Sequence, residues 1–455
     1  MKPQTASGLF QKILIANRGE IACRIIRTCQ SLGVSTVAVY SEADRDALHV
    51  RLADDAFHIG KATPEDSYLN HERILETAIQ CQADAIHPGY GFLAENDVFA
   101  EACLSKGIHF IGPRPESIRE MGSKSRAKQL MQEAGVPVVP GYHGDKQDFK
   151  ILRNEAEKIG FPLLIKPVAG GGGRGMRVVR QLNELEEALT LSRSEAKNAF
   201  GDDNVLLERF IEGPRHIEFQ IFGDQHGNFV HLHERECSIQ RRHQKILEES
   251  PSPFLDETLR KQMAEASLKA ANAVQYLGAG TVEFIVGEDR SFYFIEMNTR
   301  LQVEHPVTEM RTGLDLVEWQ IRVASGEKLP LDQDQIRPKG HSIEVRVCAE
   351  NPERGFLPSS GLLELYDFPE DPSASGSSLI RLDSGFEQKD RVGIHYDSML
   401  AKLIVYGEER EKALETIQHA LKYTAIIGPE TNLGFLQKLV SHPQFLEGKA
   451  DTLFI

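Results

Sequence analysis

Long apolar runs are missing from this 455-residue chain: no window reaches 18 uninterrupted apolar residues, which excludes a transmembrane helix. A positive surplus is missing too. The net charge of −15 argues against nonspecific binding to nucleic acid or anionic membrane over the surface as a whole. Any anionic substrate must then be held by a local group of cations. Cysteine pairs are also lacking. The six cysteines (Cys23, Cys29, Cys81, Cys103, Cys237, Cys348) contain no CxxC, and they fit buried free thiols in a reducing compartment. The turn after the first strand, Asn17-Arg18-Gly19-Glu20, lacks GxGxxG, which weakens a dinucleotide reading because a pyrophosphate needs those glycines for close backbone approach. No internal repeat is visible, and Met1–Phe10 reads as a short disordered start rather than a signal peptide.

What is present describes an ordinary globular protein: 41% hydrophobic and 26% charged residues, in a chain long enough for two to four packed domains. The first 120 residues alternate between strand and helix signals. Short apolar strands are expected at Lys12–Ala16, Thr36–Tyr40, Ala56–Ile59, Ala83–His87 and His109–Ile111. A helix starts near Glu20, with Ile21, Ile25, Cys29 and Leu32 at helical spacing. This alternation predicts an open parallel sheet. A helix over Lys124–Glu133 leads to the proline-rich connector Gly135–Gly141. Residues 142–210 read as a small α/β unit, with helices near Phe149–Lys158 and Glu184–Ala199 and strands at Leu163–Lys166, Met176–Val179 and Val205–Glu208. Residues 215–320 alternate β runs with two helices. From about 335 the chain is again rich in β signals, with a loop-like stretch at Pro369–Ser378 and an amphipathic helix near Glu409–Tyr423.

Four local patterns carry chemistry. Four glycines and Arg174-Gly175 follow Lys166 between two strands, a backbone able to wrap phosphate oxygens with N–H groups; no Gly-Lys-Ser/Thr ends the loop, so it is not a Walker A motif, and a plain hairpin loop is the competing reading. Lys166 would lay an ammonium on the same phosphates, and Lys124 opens the upstream helix as a second cation. Gly280–Gly287 and Ser291–Asn298 read as a tight hairpin. Simple alternation puts Thr281, Glu283 and Ile285 on one face and Phe292, Phe294, Glu296 and Asn298 on one face of the second strand, with Glu283 opposite Phe294 and diagonal to Glu296. Two carboxylates on an apolar hairpin repel unless a cation neutralises them, and oxygen ligands favour Mg²⁺ or Mn²⁺; a solvated acidic face is the alternative. Gln240-Arg-Arg-His-Gln-Lys245 is flanked by Glu234, Glu236, Glu248 and Glu249, which speaks against nucleic acid and leaves an anion site or a solvated face. Strand-like alternation from Arg300 through Gln302 to Glu304 would align an arginine to hold an anion, an amide to orient it and a carboxylate to take its proton. A surface Arg300–Glu304 salt bridge is the bland version.

In this order, these motifs resemble the biotin carboxylase family, a branch of the ATP-grasp superfamily. The resemblance covers nearly the whole chain and includes Ile15–Ile21, His87–Leu93, Ile111–Pro113, Met121–Lys124, the glycine loop, Gln240–Lys245, Glu296–Val307 and Tyr396–Met399. Gly122–Ser125 and Val139–Gly144 further resemble α subunits of acyl-CoA carboxylases, in particular the 3-methylcrotonyl-CoA type. It implies a multidomain α/β and α+β ATP-grasp fold: an N-terminal open parallel sheet (1–121), an ATP-grasp domain (122–334) with a lid at about 142–210, and a C-terminal β-rich domain (335–455).

It also implies roles at matching positions. Lys124, Lys166, Gly171, Gly172, Gly173, His216, Gln240 and His243 would contact ATP phosphates or ribose. Glu208, Arg209, Phe210 and Ile211 would form the strand that meets the adenine. Glu283, Glu296 and Asn298 would hold Mg²⁺ or Mn²⁺. Lys245, Arg300, Gln302 and the Val303 backbone would bind bicarbonate, Glu304 would deprotonate it, and Arg346 would stabilise the biotin enolate. The implied partners are a biotin carboxyl carrier domain or protein, a carboxyltransferase subunit and a second copy of the chain, in the cytoplasm, or in the mitochondrial matrix once a transit peptide is removed. The Ala/Val-Met-Lys-Met segment that carries biotin in larger members is absent, so the acceptor is another domain, another chain or free biotin, and the ending at Thr452–Ile455 suggests an excised domain. Two other readings compete: another ATP-grasp ligase, such as half of a carbamoyl-phosphate synthetase, and a non-catalytic nucleotide-binding module.

Overall fold

The computed structural model describes residues 8–168, 175–242, 244–369 and 378–455. Five short strands, β1 (Lys12–Ile15), β2 (Ser35–Ser41), β3 (Asp55–Gly60), β4 (Ala85–His87) and β5 (His109–Phe110), form one parallel sheet in the order β3-β2-β1-β4-β5. Strands buried on both faces explain their continuous apolar runs: Ile13, Leu14 and Ile15 are all fully buried. Helix α1 (Gly19–Ser31) lays Ile21, Ile25 and Cys29 into the core as its spacing predicts. Its other flank is buried as well. Arg24 on that flank reaches Glu309 at 2.7 Å and Asp315 at 2.8 Å, tying the parallel sheet to the rest of the molecule.

Helix α2 (Lys124–Glu133) buries Ala127 and Met131, one turn apart, and Gly135 beyond it takes φ 72°, the left-handed conformation that ends a helix cheaply. The small unit that follows holds four antiparallel strands, β6 (Gly141–Tyr142), β7 (Leu163–Pro167), β8 (Arg177–Val179) and β9 (Val205–Arg209), in the order β6-β9-β7-β8. Helices α3 (Phe149–Ile159) and α4 (Leu185–Phe200) cover it. Leu152, Leu163, Ile165, Leu189, Val205 and Leu207 form a core of its own, separate from the other apolar clusters. The polyglycine stretch, Gly171 to Gly173 included, lies outside the described residues, as do His243 and most of the loop-like segment 369–378.

Eight strands then build one antiparallel sheet: β10 (Arg215–Gly223), β11 (Phe229–Arg241), β12 (Gln244–Ser250), β13 (Gly278–Val286), β14 (Phe292–Asn298), β15 (His341–Cys348), β16 (Ser378–Ser384) and β17 (Met399–Gly407). Their order is β14-β13-β10-β11-β12-β15-β17-β16. The ladder between β12 and β15 pairs Leu247 with Val345, so the sheet continues across the boundary expected near residue 335. One face is apolar and packs against α5 (Glu257–Ala273) and α7 (Arg410–Tyr423) through residues such as Phe219, Phe284, Met263, Val345 and Ile417. The opposite face meets α6 (His305–Thr312), and the charged residues gather there. Among the described residues no helix is long and apolar enough to cross a membrane.

Candidate active site

Alternation in β10 sends Ile217, Phe219 and Ile221 into the core and His216, Glu218 and Gln220 to the other face. Neighbouring strands add to the same rung. Arg235 on β11 pairs with Glu218, Glu218 with Glu283 on β13, and Glu283 with Glu296 on β14. One cation and three carboxylates therefore stand in a row across four strands.

The hairpin departs from the expected register. Glu283 lies directly opposite Glu296, not diagonal to it, because Ile295 is inserted as a bulge between the pairs Phe284–Phe294 and Glu283–Glu296. The bulge turns Phe292 and Phe294 to the core side with Phe284, while Glu296 and Asn298 share the face of Glu283 and Thr281. Simple period-two counting cannot register an extra residue. Directly opposed residues have Cβ atoms about 4.5–5.5 Å apart, closer than the diagonal allows.

Glu283 is buried and surrounded by donors. Its Oε1 accepts from Gln302 Nε2 at 2.7 Å, Asn298 Nδ2 at 2.8 Å and Lys245 Nζ at 2.9 Å. Its Oε2 lies 2.8 Å from His216 Nε2. Burial resists the Glu283 charge, yet Lys245 and His216 outweigh it and hold the carboxyl well below its ordinary value. Glu296 goes the other way: desolvation and then the Glu283 charge raise it, although its side chain still reaches solvent. A pair of carboxylates kept apart in this way suits a hard divalent cation, whereas Asn298 turns its amide nitrogen to Glu283 and its Oδ1 to Arg300, and its amide would have to rotate to join as an oxygen ligand. Lys124, exposed in the first turn of α2, lowers Glu296 through its charge, which places this lysine near the same pair.

The residues after β14 form a loop, not a strand. Its side chains converge nonetheless. Arg300 donates to Asn298 Oδ1 and to Glu95 Oε2, each at 2.9 Å, and does not form the surface bridge to Glu304. Glu304 accepts instead from Lys245 Nζ at 2.6 Å and from Arg346 Nη2 at 3.0 Å. Desolvation would raise its pKa, but Lys245, Arg346 and Arg235 prevail and hold Glu304 ionised. Lys245 also meets Glu218 at 2.5 Å, and these carboxylates push its ammonium well above the ordinary range despite burial. Val303 contributes backbone: its carbonyl accepts from the fully buried Lys402 at 2.9 Å.

Toward the small four-stranded unit, Lys166 Nζ meets the buried Glu208 at 2.5 Å, and Lys128 of α2 pairs with the same carboxylate. The strand bearing Glu208 stops at Arg209; Phe210 and Ile211 continue as a loop, with Phe210 N–H donating to Pro162 O, so only part of the expected adenine strand is a strand. Gln240 stands opposite Lys245 in the β11–β12 ladder. On the other side of Lys245 and Arg346 opens a cavity of about 610 Å³, whose lining includes Tyr90, Val303, Arg18, Tyr396 and Met399.

Three family models match in succession: the biotin carboxylase N-terminal domain over residues 9–118, the carbamoyl-phosphate synthase L chain ATP-binding domain over 123–332, and the biotin carboxylase C-terminal domain over 344–455. The chain belongs to the biotin carboxylase family. The flanking models separate it from other ATP-grasp ligases, because the central one taken alone is described by a carbamoyl-phosphate synthase. Biotin carboxylase from Nostoc sp. is 51% identical over 446 residues, 98% of each chain. The mitochondrial methylcrotonoyl-CoA carboxylase subunit alpha of Dictyostelium discoideum is 54% identical over 444 residues, 98% of this chain but only 63% of that subunit's length. Among solved structures, the biotin carboxylase domain dimer of Hydrogenobacter thermophilus 2-oxoglutarate carboxylase, in complex with MgADP and bicarbonate, superposes with TM-score 0.89 at 48% identity, covering 98% of this chain and 97% of that one. The fold is therefore the ATP-grasp fold of biotin carboxylases, and the family is one of ATP-dependent ligases.

The structure brings together Lys245, Glu283, Glu296, Asn298, Arg300, Gln302, Glu304 and Arg346, and it supports them with residues the motifs do not contain. Glu218 was detectable in the alternation His216-x-Glu218-x-Gln220. Lys402, a lysine inside the apolar strand Met399–Gly407, is visible in the sequence as an anomaly of the kind that marks a buried, paired charge. Arg235 sits in the charged run Glu234-Arg-Glu236, which looks solvated, yet all three side chains are buried. Cys237, near the cluster, is buried, and desolvation and then Glu218 push its thiol well above the ordinary value, so it stays a neutral thiol.

Proposed function

We propose that this chain carboxylates biotin with bicarbonate at the expense of ATP, as the first half-reaction of an acyl-CoA carboxylase. The supporting observation is the ion cluster in which one ammonium, Lys245, touches Glu218, Glu283 and Glu304, between the carboxylates of the hairpin and the 610 Å³ cavity. Lys124 and Lys166 bind the ATP phosphates, with the glycine loop, His216, Gln240 and His243 beside them, and Glu208 to Ile211 border the adenine. Glu283, Glu296 and Asn298 hold Mg²⁺ or Mn²⁺, which neutralises phosphate charge.

Lys245, Arg300, Gln302 and the Val303 backbone bind bicarbonate. Entry of that anion draws the Lys245 ammonium away from Glu304, whose basicity rises as the cation leaves. Glu304 then takes the bicarbonate proton, and the freed oxygen attacks the γ-phosphorus. The bond to ADP breaks and carboxyphosphate forms. Its breakdown gives CO₂ and phosphate; the phosphate removes the ureido proton of biotin, and the nitrogen attacks CO₂. Arg346, bound to Glu304 and Glu248 and opening onto the cavity, carries the charge of the biotin enolate. Water must be kept from carboxyphosphate, and a lid over about 142–210 with a core of its own suits that task.

We assign residues 1–121, 122–334 and 335–455 to the N-terminal, ATP-grasp and C-terminal units. Because the chain spans 63% of the length of the Dictyostelium α subunit, carrier and carboxyltransferase partners, a homodimer, methylcrotonyl-CoA as the substrate of the whole enzyme, and cytoplasmic or mitochondrial residence are part of this proposal. The deciding experiment measures ATP hydrolysis with and without bicarbonate and free biotin. Release of ADP that requires bicarbonate and rises with biotin is expected; hydrolysis indifferent to both would overturn the reading.

A further inference from the structure

Arg235 is the largest completely buried side chain among the described residues, and its charge lies beneath the cluster of Lys245, Glu283 and Glu304 without touching these three. All five guanidinium N–H groups have an acceptor. Nε donates to Glu218 Oε1 at 2.6 Å; Nη1 donates to Gln220 Oε1 at 2.8 Å and Thr308 Oγ1 at 3.0 Å; Nη2 donates to Gln302 Oε1 at 2.8 Å and Thr281 Oγ1 at 3.1 Å. These acceptors come from β10, β13, the loop after β14 and α6, so one group fastens four segments.

The chemistry of the donor decides two orientations. A guanidinium offers hydrogens only, so the Gln302 amide must turn its oxygen to Arg235 and its NH₂ away. That NH₂ then faces Glu283 Oε1 at 2.7 Å, inside the cluster where Lys245 and Glu304 meet. Glu218 divides likewise: Oε1 is held by Arg235, leaving Oε2 for Lys245 at 2.5 Å. We infer that Arg235 is the positioning residue of the bicarbonate subsite: it touches no substrate, but it fixes which face Gln302 presents and where Lys245 rests. The inference builds on the proposed biotin carboxylase reaction. Lysine cannot replace it, since three donors on a point charge cannot serve five acceptors in one plane.

The test is Arg235→Lys, assayed for bicarbonate-dependent ATP hydrolysis in the intact chain. The KM for bicarbonate should rise about tenfold or more, the size expected from charged hydrogen bonds, while the KM for ATP stays within about twofold. In a Gln302→Ala background the same substitution should cost clearly less in bicarbonate KM, only the route through Glu218 and Lys245 being left, whereas in a Lys166→Met background its full effect should persist. Equal rises in both KM values, or full additivity with Gln302→Ala, would mean a general structural role and overturn the inference. If wild type shows no bicarbonate dependence, the proposed function fails and this inference with it; if wild type shows it and Arg235→Lys behaves like wild type, only the inference fails. Should Arg235→Lys not fold, Gln302→Glu decides. It keeps an oxygen toward Arg235 but sets a second one against Glu283, so bicarbonate KM should rise, and an unaltered bicarbonate KM rejects the assignment.

Discussion

The charged face of the eight-stranded sheet and the small four-stranded unit over residues 142–210 treat ions in opposite ways. On the sheet and in the loop against it, Glu218, Arg235, Glu283, Gln302 and Glu304 are buried, and nearly every charge has two or more partners at 2.5–3.1 Å. The small unit contributes Lys166, which stays partly exposed and shares the single carboxylate of Glu208 with Lys128. Its core is detached from the neighbouring ones. The difference teaches where rigidity is needed. Buried charges are costly unless each is paired, and a fully paired set holds one geometry, which suits recognition of a one-carbon anion. In the proposed function a nucleotide is large and must enter and leave, and Lys166, one of the cations proposed to meet it, sits on a unit that packs by itself.

The strongest challenge to this contrast is Glu304→Gln. Loss of the proton acceptor should cut bicarbonate-dependent ATP hydrolysis by roughly 10²–10⁴-fold, the usual value of a general base, with nucleotide affinity unchanged by equilibrium titration. Undiminished turnover would remove Glu304 as the base. Glu296→Gln comes next: one fewer charge on the hairpin should raise the Mg²⁺ concentration for half-activity by about tenfold or more, since a single contact between unit charges is worth several kcal/mol at an effective dielectric of about 20. A Mg²⁺ titration that overlays wild type contradicts the metal role. Lys166→Met should raise the KM for ATP by about tenfold and leave that for bicarbonate alone, separating the two regions by kinetics. Matched shifts in both constants would dissolve the comparison.

The smallest effect concerns pH. Glu304 titrates below its ordinary value of 4.5, so it is ionised above that value, and its share of stability is complete there and lost only as pH falls through the lower, folded value. Between about pH 6 and 8 this residue should therefore add no inflection to thermal stability or to the bicarbonate-dependent rate. An inflection in that window that moves in Glu304→Asp would show the carboxyl to be far less stabilised than its contacts require.

Several elements were legible before any coordinates. Lys124–Glu133 has the bounds its pattern predicts, because an apolar pair one turn apart and a terminal glycine are local signals. The five parallel strands and the Glu283–Glu296 hairpin follow from alternation and turn residues for the same reason. The bulge at Ile295 was not legible, since an inserted residue leaves the composition of the strand untouched and shifts only its pairing. Nor was Arg235: a guanidinium amid glutamates reads as solvated until the partner strands arrive, and its five acceptors come from residues 218 to 308.

By itself, then, the amino-acid order determined the elements, the family and the residue types able to do the chemistry, because hydrophobic period, turn residues and short motifs are properties of neighbours in the chain. Only the tertiary structure decided which carboxylate faces which. Hydrogen bonds and ion pairs act over about 3 Å, and Lys245 meets Glu304, or Arg24 meets Glu309, only after distant segments have been packed side by side.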